Sequence, residues 1–490
     1  MENESLNIKV SKGTAWSFIG SASSSAIHFI VLTVLTRLLD ANSFGLFALA
    51  LVVTQLFSEI GEFGIQAGLV RSNKLLDLQL SSCFFLNLLL LGTISIFIFI
   101  FAPILAPVLG LKEVGNIIKI LGIILVFDAA STVPLALLIR DMRFREIALV
   151  EVSTNFSYAI VTVLLAANNV GVMSLVYGAI FQRFFKAILI FLFSGYRPKL
   201  SFKLSSIKTI LAFGLNLSGE RLINFFAQRA DYFLIGKLLG TMPLGYYSLA
   251  SEISTTPQNR FSSIISRVAY PAYSKIQNDN AHLGKAYLKV VRYVASITFP
   301  PLLALAAVAH EFISTVFGEK WLPMVPLLRI LCILGCLKSI GYLVGSLLNA
   351  KGRSDIGFKW SFIMLSGTIG GVMIGIHWGI IGAATGYAIS FVLLLPIIQA
   401  IALKLVNLNL IDYVRSLISV LVASTLAGTF SYLVIFIIRR YFLATALLSL
   451  CWAIVLGASV YLIAYYIIKK SELVEIWNLR KTIFKGTVKA

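Results

Sequence analysis

Five polar residues fall in register within one apolar stretch: Asn216, Glu220, Asn224, Gln228 and Asp231 are spaced 4, 4, 4 and 3, with Arg221 alongside. On an α-helix that spacing gathers all five on one face. A row of carboxylates, carboxamides and a guanidinium offers hydrogen bonds and charge to a polar solute. A related row lies 200 positions earlier, where Ser21, Ser24 and His28 align with Arg221, Asn224 and Gln228. The next stretches agree, since Gln55, Glu59 and Glu62 align with Thr255, Asn259 and Ser262. The later of these adds Glu252, Arg260 and Arg267, with Pro257 as an expected kink.

Catalytic and metal chemistry find no support in the sequence. The 4 histidines are scattered, and no zinc-protease or phosphate-loop motif occurs. The chain is therefore expected to be neither an enzyme nor an ATPase, with no cofactor and no metal site. Cys83, Cys332, Cys336 and Cys451 all sit in apolar stretches and read as packing residues.

The elements that position these residues follow from composition. Apolar residues make up 58% of the chain and charged residues only 13%. Together with a mean hydropathy of +0.91, this excludes an ordinary soluble domain. Runs near the roughly 20 residues that span a hydrocarbon core recur along the chain. About fourteen can be counted between positions 15 and 468, which predicts an all-α, polytopic membrane protein.

The chain also contains a copy of itself. Arg37 to Ala50 reads RLLDANSFGLFALA, and Lys237 to Ala250 reads KLLGTMPLGYYSLA. Two weaker echoes keep the same order: Leu137, Leu138 and Arg143 against Leu347, Leu348 and Arg353, then Gly171 and Gly178 against Gly379 and Gly386. Six spans separate the copies, so both have one orientation and form parallel repeats. The expected organisation is a lobe of six spans over 1–200, a second over 201–408, two extra spans over 409–470, and a cytoplasmic tail over 471–490. The tail reads equally well as an interfacial amphipathic helix or as a frayed segment.

The net charge of +20 would suggest nucleic acid in a soluble protein. Sorted by loop, most of the 41 basic residues fall on one side of the membrane, the side that carries both termini. That side is read as cytoplasmic, and the charge as topology plus attraction to anionic lipid headgroups, with no nucleic-acid partner.

Ionisable side chains at membrane depth are costly unless paired or facing water, so four helices with matching polar faces imply a hydrated cavity. The competing reading is intramembrane pairing, such as Glu220 with Arg221 or Glu252 with Arg260, that only holds helices together. Charge sign separates the lobes. The second is rich in arginine, which suits phosphate oxygens, and Arg221, Arg229, Arg260 and Arg267 are the candidates for binding a diphosphate. The polar cavity lining is expected from Ser21, Ser24, His28, Gln55, Asn216, Glu220, Asn224, Gln228, Glu252, Thr255 and Asn259. The first lobe holds Glu59, Glu62, Asp128 and Glu151 against Arg183 and Lys186 within its spans. Glu59, Glu62 and Asp128 are the candidates for a coupling proton or sodium ion, or else neutral hydrogen-bonded carboxyls.

Several segments resemble a known family: LTRLLDANSFGLFALA from Leu35, LIRDMRFREIALVE from Leu138, RADYFLIGKLLGTMPLGYYSLA from Arg229, RVAYPAYSKIQ from Arg267 and GEKWLPMVPLLRIL from Gly318. They are similar to recurring segments of the Wzx-like polysaccharide-transporter branch of the multidrug/oligosaccharidyl-lipid/polysaccharide exporter superfamily, nearest its colanic-acid-type exporters. Ala41 departs from the proline frequent there. The resemblance implies two bundles that move undecaprenyl-diphosphate-linked oligosaccharide from the inner to the outer leaflet of a bacterial cytoplasmic membrane by alternating access. It also implies a polysaccharide polymerase and chain-length proteins as partners. A small-molecule or multidrug exporter of the same superfamily is the nearest alternative, and a polysaccharide polymerase is another.

Overall fold

The computed structural model describes the backbone of residues 2–62, 64–72, 75–108, 112–441 and 446–488. Side chains of 2–15, 17–19, 105, 108, 213, 215–218, 220, 259, 263, 267, 441 and 469–488 lie outside the described set. The expectations for the side chains of Asn216, Glu220, Asn259, Arg267 and the tail therefore fall outside the described residues.

The chain divides into two units, Met1–Gly245 with Thr487–Ala490, and Tyr246–Gly486. The first holds α1 (Glu2–Leu38), α2 (Ala41–Glu62), α3 (Ile65–Arg71), α4 (Asp77–Val108), α5 (Lys112–Leu121), α6 (Ile124–Arg140), α7 (Phe144–Ala167), α8 (Val172–Ser194), α9 (Lys208–Leu238) and the start of α10 (Thr241–Pro257). The second continues α10 and adds α11 (Ser263–Lys275), α12 (Asn280–Ala307), α13 (Ala309–Phe312), α14 (Val325–Gly341), α15 (Val344–Ala350), α16 (Ser354–Gly375), α17 (Gly379–Lys404), α18 (Leu410–Tyr441) and α19 (Ala446–Val488). No strand occurs among the described residues, and the protein is an all-α, polytopic membrane protein.

Eleven stretches among the described residues are long and apolar enough to cross a bilayer, one of them, Ser354–Lys404, containing both α16 and α17. Neither α9 nor α10 belongs to an apolar stretch of that kind. Helix α10 ends after 17 residues, short of a span, and α9 carries Arg221, Arg229, Asp231 and Lys237. Helix α19 runs unbroken from the last apolar stretch into the tail.

The repeat is written into the backbone turns. Between α6 and α7 the chain reverses through Met142 at φ 56, and the Arg143 N–H donates to the Leu138 carbonyl at 2.9 Å. Between α15 and α16 it does so through Gly352 at φ 69, and the Arg353 N–H donates to the Leu348 carbonyl at 2.8 Å. A left-handed residue closing a helix with a hydrogen bond back to the last turn is a standard C-terminal stop. Likewise Gly171 at φ 65 starts α8 and Gly379 at φ 72 starts α17. At the strongest echo, Gly45 and Gly245 permit backbone contact: a Cβ on Gly45 would strike the Thr241 carbonyl, and one on Gly245 the Ala41 carbonyl. Gly45 matches Gly245 and Ala41 matches Thr241 at the repeat offset, so the crossing of α2 with the first turn of α10 is reciprocal.

Within the first unit, α7 packs on α1 and α8, α6 on α4 and α8, and α9 on α2 and α3. An apolar cluster of Ile65, Leu69, Phe84, Val133 and Ile210 ties α3, α4, α6 and α9 together at one end. The linker after α8 is held to the start of α4, where the Ser81 and Ser82 hydroxyls accept the Lys199 and Lys203 N–H groups at 3.2 and 2.9 Å. In the second unit, α12 packs on α14 and α18, and α16 packs on α17. Gly371 meets Gly386 there and Gly375 meets Gly382, with no room for a Cβ on any of the four. That is the close approach expected of small residues at a membrane helix interface. Cys83, Cys332 and Cys336 are buried in apolar packing. At Pro257 the α-helical path gives way to a π-helical turn, Gln258–Ser262, which carries Arg260.

Candidate functional site

A cavity of about 790 Å³ lies within the first unit, and α1, α2, α6, α7, α8 and α9 all line it. Each helix contributes polar side chains at the depth where its sequence is otherwise apolar: His28 from α1, Gln55, Glu59 and Glu62 from α2, Asp128 from α6, Asn155 from α7. From α8 come Gln182, Arg183 and Lys186, and from α9 come Arg221, Asn224, Gln228 and Arg229. Helical spacing explains the grouping. Glu59 and Glu62 lie one turn apart, as do Gln182 and Lys186, and Arg221, Asn224 and Gln228 follow at intervals of 3 and 4.

Two ion pairs cross the cavity wall. Arg221 Nη1 lies 3.4 Å from Glu62 Oε1, joining α9 to α2. Arg183 Nη1 donates to Asp128 Oδ1 at 3.2 Å, joining α8 to α6. Gln182 Nε2 donates to Asn155 Oδ1 at 2.8 Å, which fixes α8 against α7 beside the second pair. The paired side chains keep between 21% and 38% of their surface open, so they face the void rather than a dry interior. Arg229 lies with its guanidinium carbon 5.0 Å from the centroid of the Tyr232 ring, a cation–π distance. Neither Lys186 nor Arg229 has a carboxylate partner among the described residues.

Among the described residues the cavity lining thus holds four basic groups, Arg183, Lys186, Arg221 and Arg229, against three acidic ones, Glu59, Glu62 and Asp128. Two of the cations are neutralised in place and two remain available. Such a site can take a polar, anionic group out of water, offering charge-assisted hydrogen bonds with a surplus of positive charge.

Sequence spacing placed His28, Gln55, Asn224 and Gln228 on the cavity, and all four line it. Glu59, Glu62, Asp128, Arg221 and Arg229 line it as well. Ser21 and Ser24 are not among the lining residues; Ser24 is buried, and the Ser21 carbonyl accepts the Ser25 hydroxyl at 2.7 Å. Glu252, Thr255 and Arg260 lie in the second unit, where the Thr255 hydroxyl donates to the Ser251 carbonyl at 2.8 Å. Spacing alone passed over Asn155, Gln182, Arg183 and Lys186 as one group. Their signal was present, since Gln182, Arg183 and Lys186 interrupt an aromatic and aliphatic span within about one helical turn. Only the packing of α8 on α6 and α7 shows which void they face.

Comparison with known proteins agrees with this architecture. The family model described as "Polysaccharide biosynthesis protein" matches residues 34–326. The lipopolysaccharide biosynthesis protein WzxC of Escherichia coli is 31% identical over 399 residues, covering 81% of this chain and 80% of that protein. The teichuronic acid biosynthesis protein TuaB of Bacillus subtilis is 26% identical, covering 94% and 95%. Among solved structures, the lipid II flippase MurJ in an inward closed conformation superposes with a TM-score of 0.74 at 16% identity, covering 94% of this chain and 99% of that one.

Proposed function

The chain belongs to the polysaccharide biosynthesis protein family, and from that premise we propose that it is a flippase for undecaprenyl-diphosphate-linked oligosaccharide, carrying each unit from the inner to the outer leaflet of a bacterial cytoplasmic membrane. The observation that carries this reading is the cavity of the first unit, with two cations engaged and two available. A diphosphate with several sugars cannot cross hydrocarbon unaided, because burying unpaired charge costs many kcal/mol. A polar chamber removes that barrier while the polyprenyl tail stays in lipid. Arg221 and Arg229 hold the diphosphate with Lys186, and Arg260 and Arg267 of the second copy receive it later in the cycle. Asn155, Gln182, Asn224 and Gln228 suit sugar hydroxyls, which both donate and accept.

Glu59, Glu62 and Asp128 are where a coupling proton or sodium ion would act, by competing with Arg221 and Arg183 for the carboxylates. Coupling is not required. An inside-negative potential favours outward movement of an anionic headgroup by about 2.3 kcal/mol per charge per 100 mV. The orientation, with both termini cytoplasmic, rests on the distribution of Lys and Arg among the loops. A polysaccharide polymerase and chain-length proteins are the partners that would consume the exported unit.

A multidrug exporter is the rival reading. Its pockets commonly favour organic cations, and the surplus of positive charge here opposes that. The deciding experiment is reconstitution in liposomes with a defined lipid-linked oligosaccharide, comparing the wild type with Lys186→Gln and Arg229→Gln. Slowed translocation in both, with normal insertion, supports the assignment. Unchanged translocation in both, or transport of cationic drugs in place of the glycolipid, overturns it.

A further inference from the structure

The second unit carries a separate pocket of about 260 Å³ between α13 and the end of α18, lined by Glu311, Tyr432, Ile435, Phe436, Arg439 and Arg440. We propose that it binds the headgroup of a membrane phospholipid bearing both a phosphodiester and a primary ammonium, with the phosphate on Arg439 and Arg440 and the ammonium on Glu311.

Glu311 is the residue that asks for a ligand. It is 91% buried, and its two carboxylate oxygens differ. Oε1 lies 3.5 Å from Arg439 Nη1 and 3.9 Å from His310 Nδ1. Oε2 is buried with no hydrogen-bond partner among the described residues. A buried carboxylate oxygen left without a donor is unfavourable, and it is satisfied when a donor enters the pocket. A primary ammonium supplies up to three N–H donors and a full charge.

The two arginines supply the complementary half. A cation in the last turn of a helix is favourable on dipole grounds alone, and that accounts for one of them in isolation. It does not account for a pair closing over a void whose far wall is a buried acceptor. The positions also run against the loop-charge pattern, by which the sequence places Arg439 and Arg440 on the side expected to carry few basic residues. Guanidinium forks match phosphate oxygens in geometry and stay charged at any physiological pH.

The surroundings favour a lipid over a soluble anion. Leu433, Phe436 and Ile437 on α18 are exposed apolar side chains, so the pocket opens beside a surface suited to acyl chains. The pocket is also held in shape. Val434 and Ile435 pack on Val308, Leu450 and Ala453, fixing α18 against its neighbours and against the segment that leads into Glu311.

The test uses the purified full chain and native mass spectrometry, with phosphatidylethanolamine and phosphatidylcholine of identical acyl chains in equal amounts. The two differ at the donor, because the choline nitrogen has no N–H. The wild type is expected to retain phosphatidylethanolamine about tenfold over phosphatidylcholine, the worth of one charge-assisted hydrogen bond. Glu311→Gln should abolish that preference. Arg440→Gln, at an exposed position that leaves the core intact, should lower binding of both lipids by about tenfold. Equal retention of both lipids by the wild type, or undiminished binding by Arg440→Gln, overturns the proposal. Displacement of the lipid by equimolar inorganic phosphate overturns it too, identifying a plain anion site. Should Glu311→Gln fail to fold, the Arg440→Gln measurement and the wild-type preference decide.

Discussion

The α7–α8 hairpin of the first unit and the α16–α17 hairpin of the second are copies of one another, entered through equivalent turns, yet they carry different chemistry at matching positions. In the first, Gln182, Arg183 and Lys186 face a cavity and Arg183 pairs with Asp128. At the offset of 208 set by Gly171 and Gly379, the second copy has Ser390, Phe391 and Leu394 in those places. Asp128 itself, at the offset of 210 shared by Leu138 and Leu348, falls on Lys338. Lys338 lies over the Tyr387 ring at 4.7 Å, a cation–π distance. Both hairpins pack closely, Gly178 against Thr162 in the first copy and Gly386 against Gly371 in the second, and the second adds Gly375 against Gly382. Duplication fixed the path of the backbone and left the side chains free to put charge on a cavity in one copy and apolar residues at the matching positions in the other.

The sharpest way to break the comparison is to transplant the second copy's residues into the first. Arg183→Phe with Lys186→Leu removes one available cation and leaves Asp128 unpaired in the cavity, and should slow glycolipid translocation by about a hundredfold, with normal accumulation in the membrane. Reconstituted flipping rates check it, and a rate within tenfold of wild type would mean that α8 does not serve the substrate.

The converse change tests the second copy. Gly375→Leu drives a side chain into the backbone at Gly382 and should destabilise the protein by about 3 kcal/mol, read as a lowered unfolding midpoint in detergent. The same substitution at Gly171, where a Cβ meets nothing within 4 Å, should cost less and only through its left-handed backbone.

A double-mutant cycle of Asp128→Asn and Arg183→Gln sharpens the comparison further. The pair is half-open to the cavity, so a coupling of about 1 kcal/mol is expected in stability. Asp128→Asn alone should change translocation by about tenfold, through the freed Arg183. The smallest effect belongs to the turn after α6, where Arg143 Nε lies 3.2 Å from Glu146 Oε1 near the surface. Glu146→Gln should move stability by no more than about 0.5 kcal/mol in thermal unfolding.

Much of this was legible in the chain itself. Composition set the bilayer as solvent, and the echo of Arg37–Ala50 in Lys237–Ala250 gave two copies in one orientation. The 4, 4, 4, 3 spacing after Asn216 gave a polar face. These are properties of a single helix or of a pair of segments, and periodicity reports them directly.

What the sequence could not assign was which polar faces share a void. Helix α9 belongs by repeat to the second copy, yet Arg221 reaches Glu62 of α2 and lines the same cavity as Arg183 of α8. The α8 group, Gln182, Arg183 and Lys186, was visible as charge but not as lining. Nor did any spacing join Glu311 to Arg439, which are brought to 3.5 Å by the packing of α18 on its neighbours. A helix's own period determines which residues it presents on one side. What that side meets depends on rotations and contacts among helices far apart in the chain, and only the assembled bundle decides those.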